Sequence, residues 1–249
     1  MTRLFDLSGR VALVTGGSRG LGFGMAEALA GCGARVVVSS RNKAEAEAAG
    51  AKIGGEGIAF DVTDEAACIA AVAGVHKKHG RFDILVSNAG ATIRNAFVDY
   101  KTVDFDNVVG QHLRAGFVLG REAAKIMTAA GKGRILYTTS LMAHLGRPNV
   151  VAYAAAKTAL EGMIRQMAIE LAPKGVLVNG IAPGYFATEL NKPLIDNPEF
   201  NAMIVRRTPL ARWGNPNELG GAAVLLCSDA GSYLTGQTLV VDGGMSVAL

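Results

Sequence analysis

The sequence has little of what several protein classes require. It contains three cysteines, an odd number at wide spacing, and each lies in an apolar helical context. This distribution excludes a disulfide framework and a thiolate metal site. We therefore expect Cys32, Cys68 and Cys227 to be buried free thiols in a reducing compartment, and we predict no bound metal ion.

Long apolar runs and an excess of one charge are also missing. No segment reaches the roughly 18 consecutive apolar residues of a membrane-spanning helix, and the first residues lack the apolar core of a signal peptide. The 25 basic and 21 acidic residues leave a formal net charge of +4. The basic residues are scattered, whereas nucleic-acid binding requires a basic cluster. We expect a cytoplasmic protein that binds neither membranes nor nucleic acid.

What the sequence does have is a regular alternation of strand-like and helical segments. Half of its 249 residues are hydrophobic, which is enough for one sizeable core. Strand-like runs recur at residues 10–15, 34–39, 57–60, 82–86, 133–139, 175–181 and 237–241. Alternation with helices indicates a parallel sheet covered on both faces. We predict a single doubly wound Rossmann-type α/β domain, residues 1–249, with a seven-stranded parallel sheet.

A glycine-rich turn follows the first predicted strand. It reads Gly16-Gly17-Ser18-Arg19-Gly20-Leu21-Gly22, and a helical pattern extends from it to Gly31. Glycines let the backbone approach a pyrophosphate, and the helix N-terminus supplies amide donors. The spacing is T-G-x-x-x-G-x-G rather than G-x-G-x-x-G, and glycine turns without a nucleotide are common. A turn that opens the first βαβ unit nevertheless predicts a dinucleotide site.

The end of the second predicted strand bears on which dinucleotide is bound. An NAD enzyme usually has an acid there for the ribose 2′-hydroxyl, whereas arginine suits a 2′-phosphate. This chain has Ser40 and Arg41. Arg19 could reach the same phosphate, because guanidinium groups match phosphate geometry. Either arginine could be an ordinary solvated side chain, but the absence of an acid between them favours NADP(H).

Tyr153 and Lys157 stand four residues apart, with Ser140 upstream at the end of an apolar stretch. Positions i and i+4 share one face of a helix, so the ammonium of Lys157 can lie beneath the phenol of Tyr153. A nearby positive charge lowers the pKa of a phenol from its usual value of about 10. A tyrosine with a lowered pKa, beside a hydroxyl that holds a carbonyl oxygen, predicts proton transfer. Such a pair also arises by chance.

These motifs together resemble the short-chain dehydrogenase/reductase family over nearly the whole chain. The matching segments are Thr15-Gly16 through Gly22, Asp61-Val62, Asn88-Ala89-Gly90, Ser140, Tyr153, Lys157, Pro183-Gly184 and Thr188. The resemblance implies that Asp61 and Val62 contact adenine. It also implies that Asn88 braces the sheet beside the cofactor and that Thr188 meets the nicotinamide amide. Ala89, Gly90, Pro183 and Gly184 complete the expected cofactor site.

The C-terminal third is similar to gluconate 5-dehydrogenases and to 3-oxoacyl carrier-protein reductases. The resemblance implies an NADP(H)-dependent enzyme that interconverts a ketone and a secondary alcohol by hydride transfer, acting on a sugar acid or a polyol. Ser140 would hold the carbonyl oxygen, Tyr153 would donate the proton, and Lys157 would also bind the nicotinamide ribose. The alternatives are a 3-oxoacyl carrier-protein reductase and a non-catalytic NADP-binding regulator.

One residue departs from the family pattern. The family usually has an asparagine in the helix after the fourth strand, where it helps hold a water beside the catalytic lysine. Alignment of residues 105–117 places His112 there. We expect its imidazole to lie near Lys157 and to link the lysine to solvent through water, with the neutral ring as the working form and a titration near neutrality. A histidine that serves packing alone is the alternative.

The substrate side of the site is less defined by sequence. Arg94, Arg147 and Tyr185 are the candidate substrate contacts, since either arginine could face a carboxylate or simply be solvated. Residues 185–213 are expected to form a lid. Small residues along the helix from about Ala152 to Ala172 would let another helix approach. The family resemblance implies a homotetramer, with a dimer as the fallback.

Overall fold

Seven parallel strands form one sheet in the computed structural model, which describes residues 2–248. Their order is β3-β2-β1-β4-β5-β6-β7, and every neighbouring pair is parallel. The strands are β1 Val11–Val14, β2 Arg35–Ser40, β3 Glu56–Ala59, β4 Ile84–Ser87, β5 Gly133–Thr138, β6 Val176–Pro183 and β7 Thr238–Val241. The strand order reverses between β1 and β4, so a crevice opens there at the carboxyl ends of the strands.

The central strands are apolar along their whole length because both faces of the sheet are covered. All four residues of β1 are buried, and Leu13 lies opposite Val37 of β2 and Leu85 of β4. The side chains of β1 alternate between two core clusters, one on each face of the sheet. The strands therefore have continuous apolar runs rather than an alternating pattern.

Helices cover both faces. They are α1 Gly20–Gly31, α2 Lys43–Lys52, α3 Glu65–His79, α4 Thr102–Val109, α5 Ala115–Ala129, α6 Val151–Leu171, α7 Lys192–Ile195, α8 Pro198–Arg207 and α9 Gly220–Cys227. Side chains of α1 and α9 enter one core cluster, and those of α3, α5 and α6 enter the other. A π-helical turn, Gly110–Arg114, joins α4 to α5. The predicted doubly wound architecture with seven parallel strands is confirmed.

The segment between β6 and α9 contains α7 and α8 and has a small core of its own. Ile204 packs there with Leu141 and Met245, and Tyr185, Phe200, Met203 and Trp213 pack around them. Leu141 follows the end of β5, so this cluster holds the predicted lid segment above the carboxyl ends of the strands.

The cysteines differ in part from expectation. All three are free thiols, and Cys68 and Cys227 are buried, but Cys32 is only half-buried. Cys32 follows α1 as its C-cap residue, outside the helix. Within residues 2–248, no helix has both the length and the hydropathy needed to cross a membrane.

Candidate active site

A cleft of about 780 Å³ lies at the carboxyl ends of the strands. Its walls come from the turn after β1, the ends of the next strands and the segment after β6. Every residue predicted for the site lines it: Gly16, Ser18, Arg19, Gly20, Leu21, Gly22, Ser40, Arg41, Asp61, Val62, Asn88, Ala89, Gly90, Arg94, His112, Ser140, Arg147, Tyr153, Lys157, Pro183, Gly184, Tyr185 and Thr188. The fold thus brings together residues scattered over most of the chain.

The glycine turn has a backbone that only glycine accommodates. Gly16 and Gly20 have φ values of +61° and +57°, in the left-handed region that disfavours other residues. A Cβ on Gly22 would overlap the Gly16 carbonyl and the Asn88 amide. Helix α1 begins at Gly20, so its first amides face the cleft opening without intrahelical partners. The turn therefore fits a pyrophosphate group.

Asn88 links three strand ends by hydrogen bonds. Its Nδ2 donates to the carbonyl oxygens of Thr15 (3.0 Å) and Gly16 (3.3 Å). Its Oδ1 accepts from the Thr138 hydroxyl at 3.2 Å. The Thr15 hydroxyl accepts from the backbone amides of Asn88 and Ala89. This geometry agrees with the bracing role that the family resemblance implies for Asn88. Thr138 carries no sequence signal that would have identified it.

The region expected to bind the 2′-phosphate contains an acid that sequence reasoning missed. The Ser40 hydroxyl donates to Glu45 Oε2 at 3.3 Å, and Glu45 lines the same cleft. Asn42 caps α2 by accepting a hydrogen bond from the Glu45 amide, so Glu45 stands in the first turn of the helix that follows β2. The pattern Asn-x-x-Glu, typical of a helix start, was the available signal. The strand end itself has no acid, as expected, but α2 brings the Glu45 carboxylate to the Ser40 hydroxyl.

The two arginines near the cofactor region have different surroundings. Asp61 has a lowered pKa, first because Thr63 donates two hydrogen bonds to it and also because Arg41 is nearby. Arg19 pairs with Glu189 across the cleft opening, with 3.5 Å between Nη1 and Oε2. Both side chains of that pair are mostly exposed, so the pair is weak and Arg19 stays available to an anion.

Helix α6 places Tyr153 and Lys157 one turn apart, as predicted. The Lys157 Nζ lies 5.5 Å from the centre of the Tyr153 ring and donates a hydrogen bond to the Thr138 carbonyl oxygen. Burial lowers the pKa of Lys157 to about 7. Ser140 follows β5, and its hydroxyl oxygen accepts a hydrogen bond from the Met142 amide at 3.1 Å.

The expectation that the pKa of Tyr153 lies below its usual value was wrong for this structure. Burial raises the pKa of Tyr153, the Ser140 hydroxyl opposes that shift, and Tyr185 adds to it. Lys157 is itself desolvated and directs its hydrogen bond to Thr138 rather than to the phenol oxygen. Two desolvated groups each favour their neutral form. The site therefore holds a protonated phenol, which suits a proton donor.

His112 lies beside the Tyr153 ring and is almost fully buried. The ring centres are 5.2 Å apart in an edge-to-face arrangement. Burial lowers the pKa of His112 well below 6.5, and the charge of Lys157 lowers it further. The expected proximity to Lys157 agrees with this interaction, but the expected titration near neutrality is wrong, because the imidazole stays neutral.

Two arginines line the substrate side. Arg147 donates a hydrogen bond to the Tyr185 hydroxyl at 3.3 Å, and its guanidinium stacks 4.7 Å from the centre of the Phe200 ring. The pKa of Arg94 is lowered by burial and by the positive charge of Arg147. Within residues 2–248, neither arginine forms a salt bridge. This part of the cleft therefore presents two positive charges that attract an anion.

The glycine turn, the helix N-terminus and the Tyr153–Lys157 pair together define a dinucleotide-dependent oxidoreductase. The family model that matches the chain, described as enoyl-(acyl carrier protein) reductase, covers residues 16–246. The chain belongs to the short-chain dehydrogenase/reductase family, as its motifs predicted.

Individual relatives match over nearly their whole length. The chain is 41% identical to a gluconate 5-dehydrogenase from Gluconobacter oxydans, over 99% of this chain and 98% of the relative. It is 35% identical to a 3-oxoacyl-[acyl-carrier-protein] reductase from Escherichia coli, over 96% of this chain and 98% of the relative. A crystal structure of a gluconate 5-dehydrogenase from Burkholderia cenocepacia in complex with NADP and tartrate is 37% identical, with a TM-score of 0.96 and coverage of 100% and 99%.

Glu45→Gln should raise the preference for NADPH over NADH. The carboxylate of Glu45 accepts a hydrogen bond from Ser40 and repels a 2′-phosphate, whereas the amide of glutamine has no charge to repel it. We expect kcat/KM for NADPH to rise about threefold to tenfold, on the scale of one charged contact, and kcat/KM for NADH to change little. Glu47→Gln, an exposed acid on the same helix outside this cleft, is the matched control. An equal gain with both cofactors would contradict the assignment.

Proposed function

We propose that this chain is an NADP(H)-dependent oxidoreductase that interconverts a ketone and a secondary alcohol on a sugar acid. An acidic substrate is supported by Arg94 and Arg147, two arginines without salt bridges in the same cleft as Tyr153. The gluconate 5-dehydrogenase relatives support it, because gluconate has a carboxylate and secondary alcohols.

The cofactor site fits NADP(H). The Gly16–Gly22 turn leaves space that a Cβ would fill, and the free amides at the start of α1 would bind the pyrophosphate. Arg41 has a positive charge for the 2′-phosphate, and Asp61 with Val62 would contact the adenine. Thr188 lies against the turn, since a Cβ built on Gly20 would be 3.6 Å from its methyl group. When bound, the nicotinamide supplies or accepts the hydride.

The protein's own residues would transfer the proton and orient the substrate carbonyl group. Ser140 Oγ would hold the carbonyl oxygen of the substrate, and Tyr153 Oη would give that oxygen its proton during reduction. In the oxidative direction the phenolate would take the proton from the alcohol. Lys157, held by Thr138, would stabilise the phenolate by its charge and would bind the ribose hydroxyls of the cofactor.

A carrier-protein reductase is less well supported. A carrier protein would need a basic surface beside the cleft, but Lys132 lies just before β5 and Lys174 lies two residues before β6. They lie at the amino ends of the strands, opposite the cleft, and Lys132 pairs with Asp229. A non-catalytic regulator would not need Ser140, Tyr153 and Lys157 in one cleft.

Three further features belong to the proposal. Residues 185–213 form the lid, because they include Tyr185 and pack over the carboxyl ends of β5 and β6. The protein acts in the cytoplasm, where its free thiols stay reduced. It assembles as a homotetramer through α4, α5 and α6.

Tyr153→Phe should abolish turnover and leave NADPH binding nearly intact, because it removes only the transferable proton. We expect Tyr153→Phe to lose at least about a hundredfold in turnover, the range of general acid catalysis. Lys157→Ala should reduce both turnover and cofactor affinity, because its ammonium would stabilise the phenolate and bind the cofactor ribose. NADPH oxidation and NADPH fluorescence titration measure the two quantities. Substantial ketone reduction by Tyr153→Phe would show that another group is the acid.

Arg147→Met should raise KM for 5-ketogluconate while leaving KM for a neutral ketose such as fructose nearly unchanged. Methionine keeps part of the packing on Phe200 and removes the charge. We expect a rise of about tenfold or more, as for a lost hydrogen bond to a charged group. Arg207→Met, an exposed arginine at the end of α8, is the matched control. Equal KM changes for both substrates would mean that Arg147 does not bind the carboxylate.

A homotetramer should form at micromolar concentration. Ala155 and Ala159 are exposed on α6, and Phe105 and Phe117 are partly exposed on α4 and α5. The surface of these three helices therefore offers small and apolar side chains to a second copy. Burying it in a symmetric assembly removes apolar surface from water. Light scattering measures the mass. A monomer under these conditions would overturn the prediction.

A further inference from the structure

The Arg147 guanidinium lies against two aromatic side chains of the lid segment, residues 185–213. Its Cζ is 4.7 Å from the centre of the Phe200 ring and 5.9 Å from the centre of the Tyr185 ring. Its Nη1 also donates a hydrogen bond to the Tyr185 hydroxyl at 3.3 Å. A guanidinium within about 6 Å of a ring centre is attracted by the π electrons of the ring. Two lid residues therefore hold the end of a long side chain that comes from the segment between β5 and α6.

Trp213 supports the two rings that contact Arg147. It packs edge-to-face against Tyr185, with 5.5 Å between the ring centres, and Tyr185 meets Phe200 with 5.9 Å between their ring centres. The Trp213 Nε1 donates a hydrogen bond to Asn201 Oδ1 at 2.7 Å. Asn201 follows Phe200 in α8, so this bond ties Trp213 to the helix that carries Phe200. Edge-to-face aromatic pairs are favourable beyond the area that they bury, so the three rings fix one another's orientation.

Backbone hydrogen bonds keep Tyr185 and Trp213 side by side. The Gly214 amide donates to the Tyr185 carbonyl oxygen at 2.9 Å, and the Ala187 amide donates to the Gly214 carbonyl oxygen at 2.8 Å. A Cβ built on Gly214 would lie 2.7 Å from the Phe186 ring, so the close approach of these two segments requires glycine. The aromatic contacts around Arg147 are therefore supported by the backbone of the lid segment as well as by its side chains.

Arg147 needs such support because a second positive charge lies near it. The pKa of Arg94 is lowered by burial and then by the positive charge of Arg147, so the two groups repel each other in the cleft. This repulsion favours an Arg147 side chain that is turned out to solvent. The attraction of the Phe200 ring and the hydrogen bond to Tyr185 both oppose that movement. An anion bound between the two arginines would remove the repulsion.

The contact with the rings leaves most N–H donors of Arg147 to a ligand. Among the described residues, Arg147 donates a side-chain hydrogen bond to the Tyr185 hydroxyl alone. The contact with Phe200 uses the charge of the guanidinium and not its hydrogen-bond donors. A carboxylate can take two parallel hydrogen bonds from such a group. Arg147 lines the cleft that contains Tyr153, whereas Phe200, within the described part of the chain, does not line it.

We propose that Phe200 is a specificity-determining positioning residue, whose ring holds the Arg147 guanidinium in the orientation that binds the carboxylate of an acidic substrate. Tyr185 and Trp213 support that orientation. Phe200 acts through Arg147 and takes no part in the transfer of the hydride or the proton. The lid segment thus distinguishes acidic from neutral substrates by an aromatic contact outside the cleft. The substrate part of this proposal rests on the proposed function.

Two substitutions at Phe200 separate the ring from its apolar bulk. Leucine keeps an apolar side chain in the lid core and removes the ring, whereas tyrosine retains the ring. We expect Phe200→Leu to raise KM for 5-ketogluconate about fivefold to tenfold, the scale of one cation–π contact at a partly buried site. Its kcat, and its KM for the neutral ketose fructose, should change by less than about twofold, because neither depends on the Arg147 charge.

The conservative variant and a control in the same cluster complete this comparison. Phe200→Tyr should keep KM for 5-ketogluconate within about twofold of the unmodified protein. Met203→Leu, a change of similar volume in the lid core, should do the same. Equal rises of KM for the acidic and the neutral substrate in Phe200→Leu would overturn the proposal. So would a tyrosine variant that behaves like the leucine variant, or a leucine variant with unchanged kinetics.

A double variant tests whether Phe200 acts through Arg147. In the Arg147→Met background the charge that the ring holds is gone, so adding Phe200→Leu should change KM for 5-ketogluconate by less than about twofold. A further rise of the size seen in the single Phe200→Leu variant would show that the ring acts on the substrate by another route, and would overturn the proposal.

The melting temperature tests the same contact without any substrate. Each single variant, Phe200→Leu or Arg147→Met, loses the attraction between the two side chains, and the double variant loses it only once. We therefore expect the double variant to lose less melting temperature than the two single losses added together. Additive losses would overturn the proposal. Failure of every sugar acid as a substrate would count against the proposed function and would leave this measurement intact.

Discussion

The hydrogen bonds of Thr138, the last residue of β5, are the contacts on which the rest of the site depends. Its carbonyl oxygen accepts from the Lys157 ammonium, and its hydroxyl donates to Asn88 Oδ1. Asn88 in turn donates to the carbonyl oxygens of Thr15 and Gly16 at the glycine turn. One strand end therefore connects α6 to the turn after β1. The Tyr153–Lys157 pair and the glycine turn keep one relative position because both are hydrogen-bonded to the sheet.

Burial away from water also shifts the pKa values of the two residues that this framework holds together. Tyr153 is held protonated because burial raises its pKa, and Lys157 has a pKa of about 7, so it can change charge near neutrality. Burial disfavours that charge, and the Thr138 carbonyl oxygen stabilises it by accepting a hydrogen bond from the ammonium. The cleft also contains arginines towards both ends, Arg41 near Asp61 and Arg147 beside Tyr185.

Much of the fold and site was predictable because the relevant signals are local. The strands have continuous apolar runs since parallel sheets are buried on both faces. The glycine turn is recognisable since positive φ at Gly16 and Gly20 demands glycine. Tyr153 and Lys157 meet because helical spacing alone brings positions i and i+4 together. Each of these follows from backbone geometry within a few residues.

The sequence by itself determined the sheet, the family and the residues that would line the cleft. Only the tertiary structure decided their electrostatic state. The raised pKa of Tyr153 and the lowered pKa of Lys157 come from burial by residues distant in the chain. The lowered pKa of His112 comes from burial and from the charge of Lys157. The contact of Arg19 with Glu189 likewise joins segments far apart in the sequence. Charge and protonation depend on which groups surround an atom in space, and sequence spacing does not specify those neighbours.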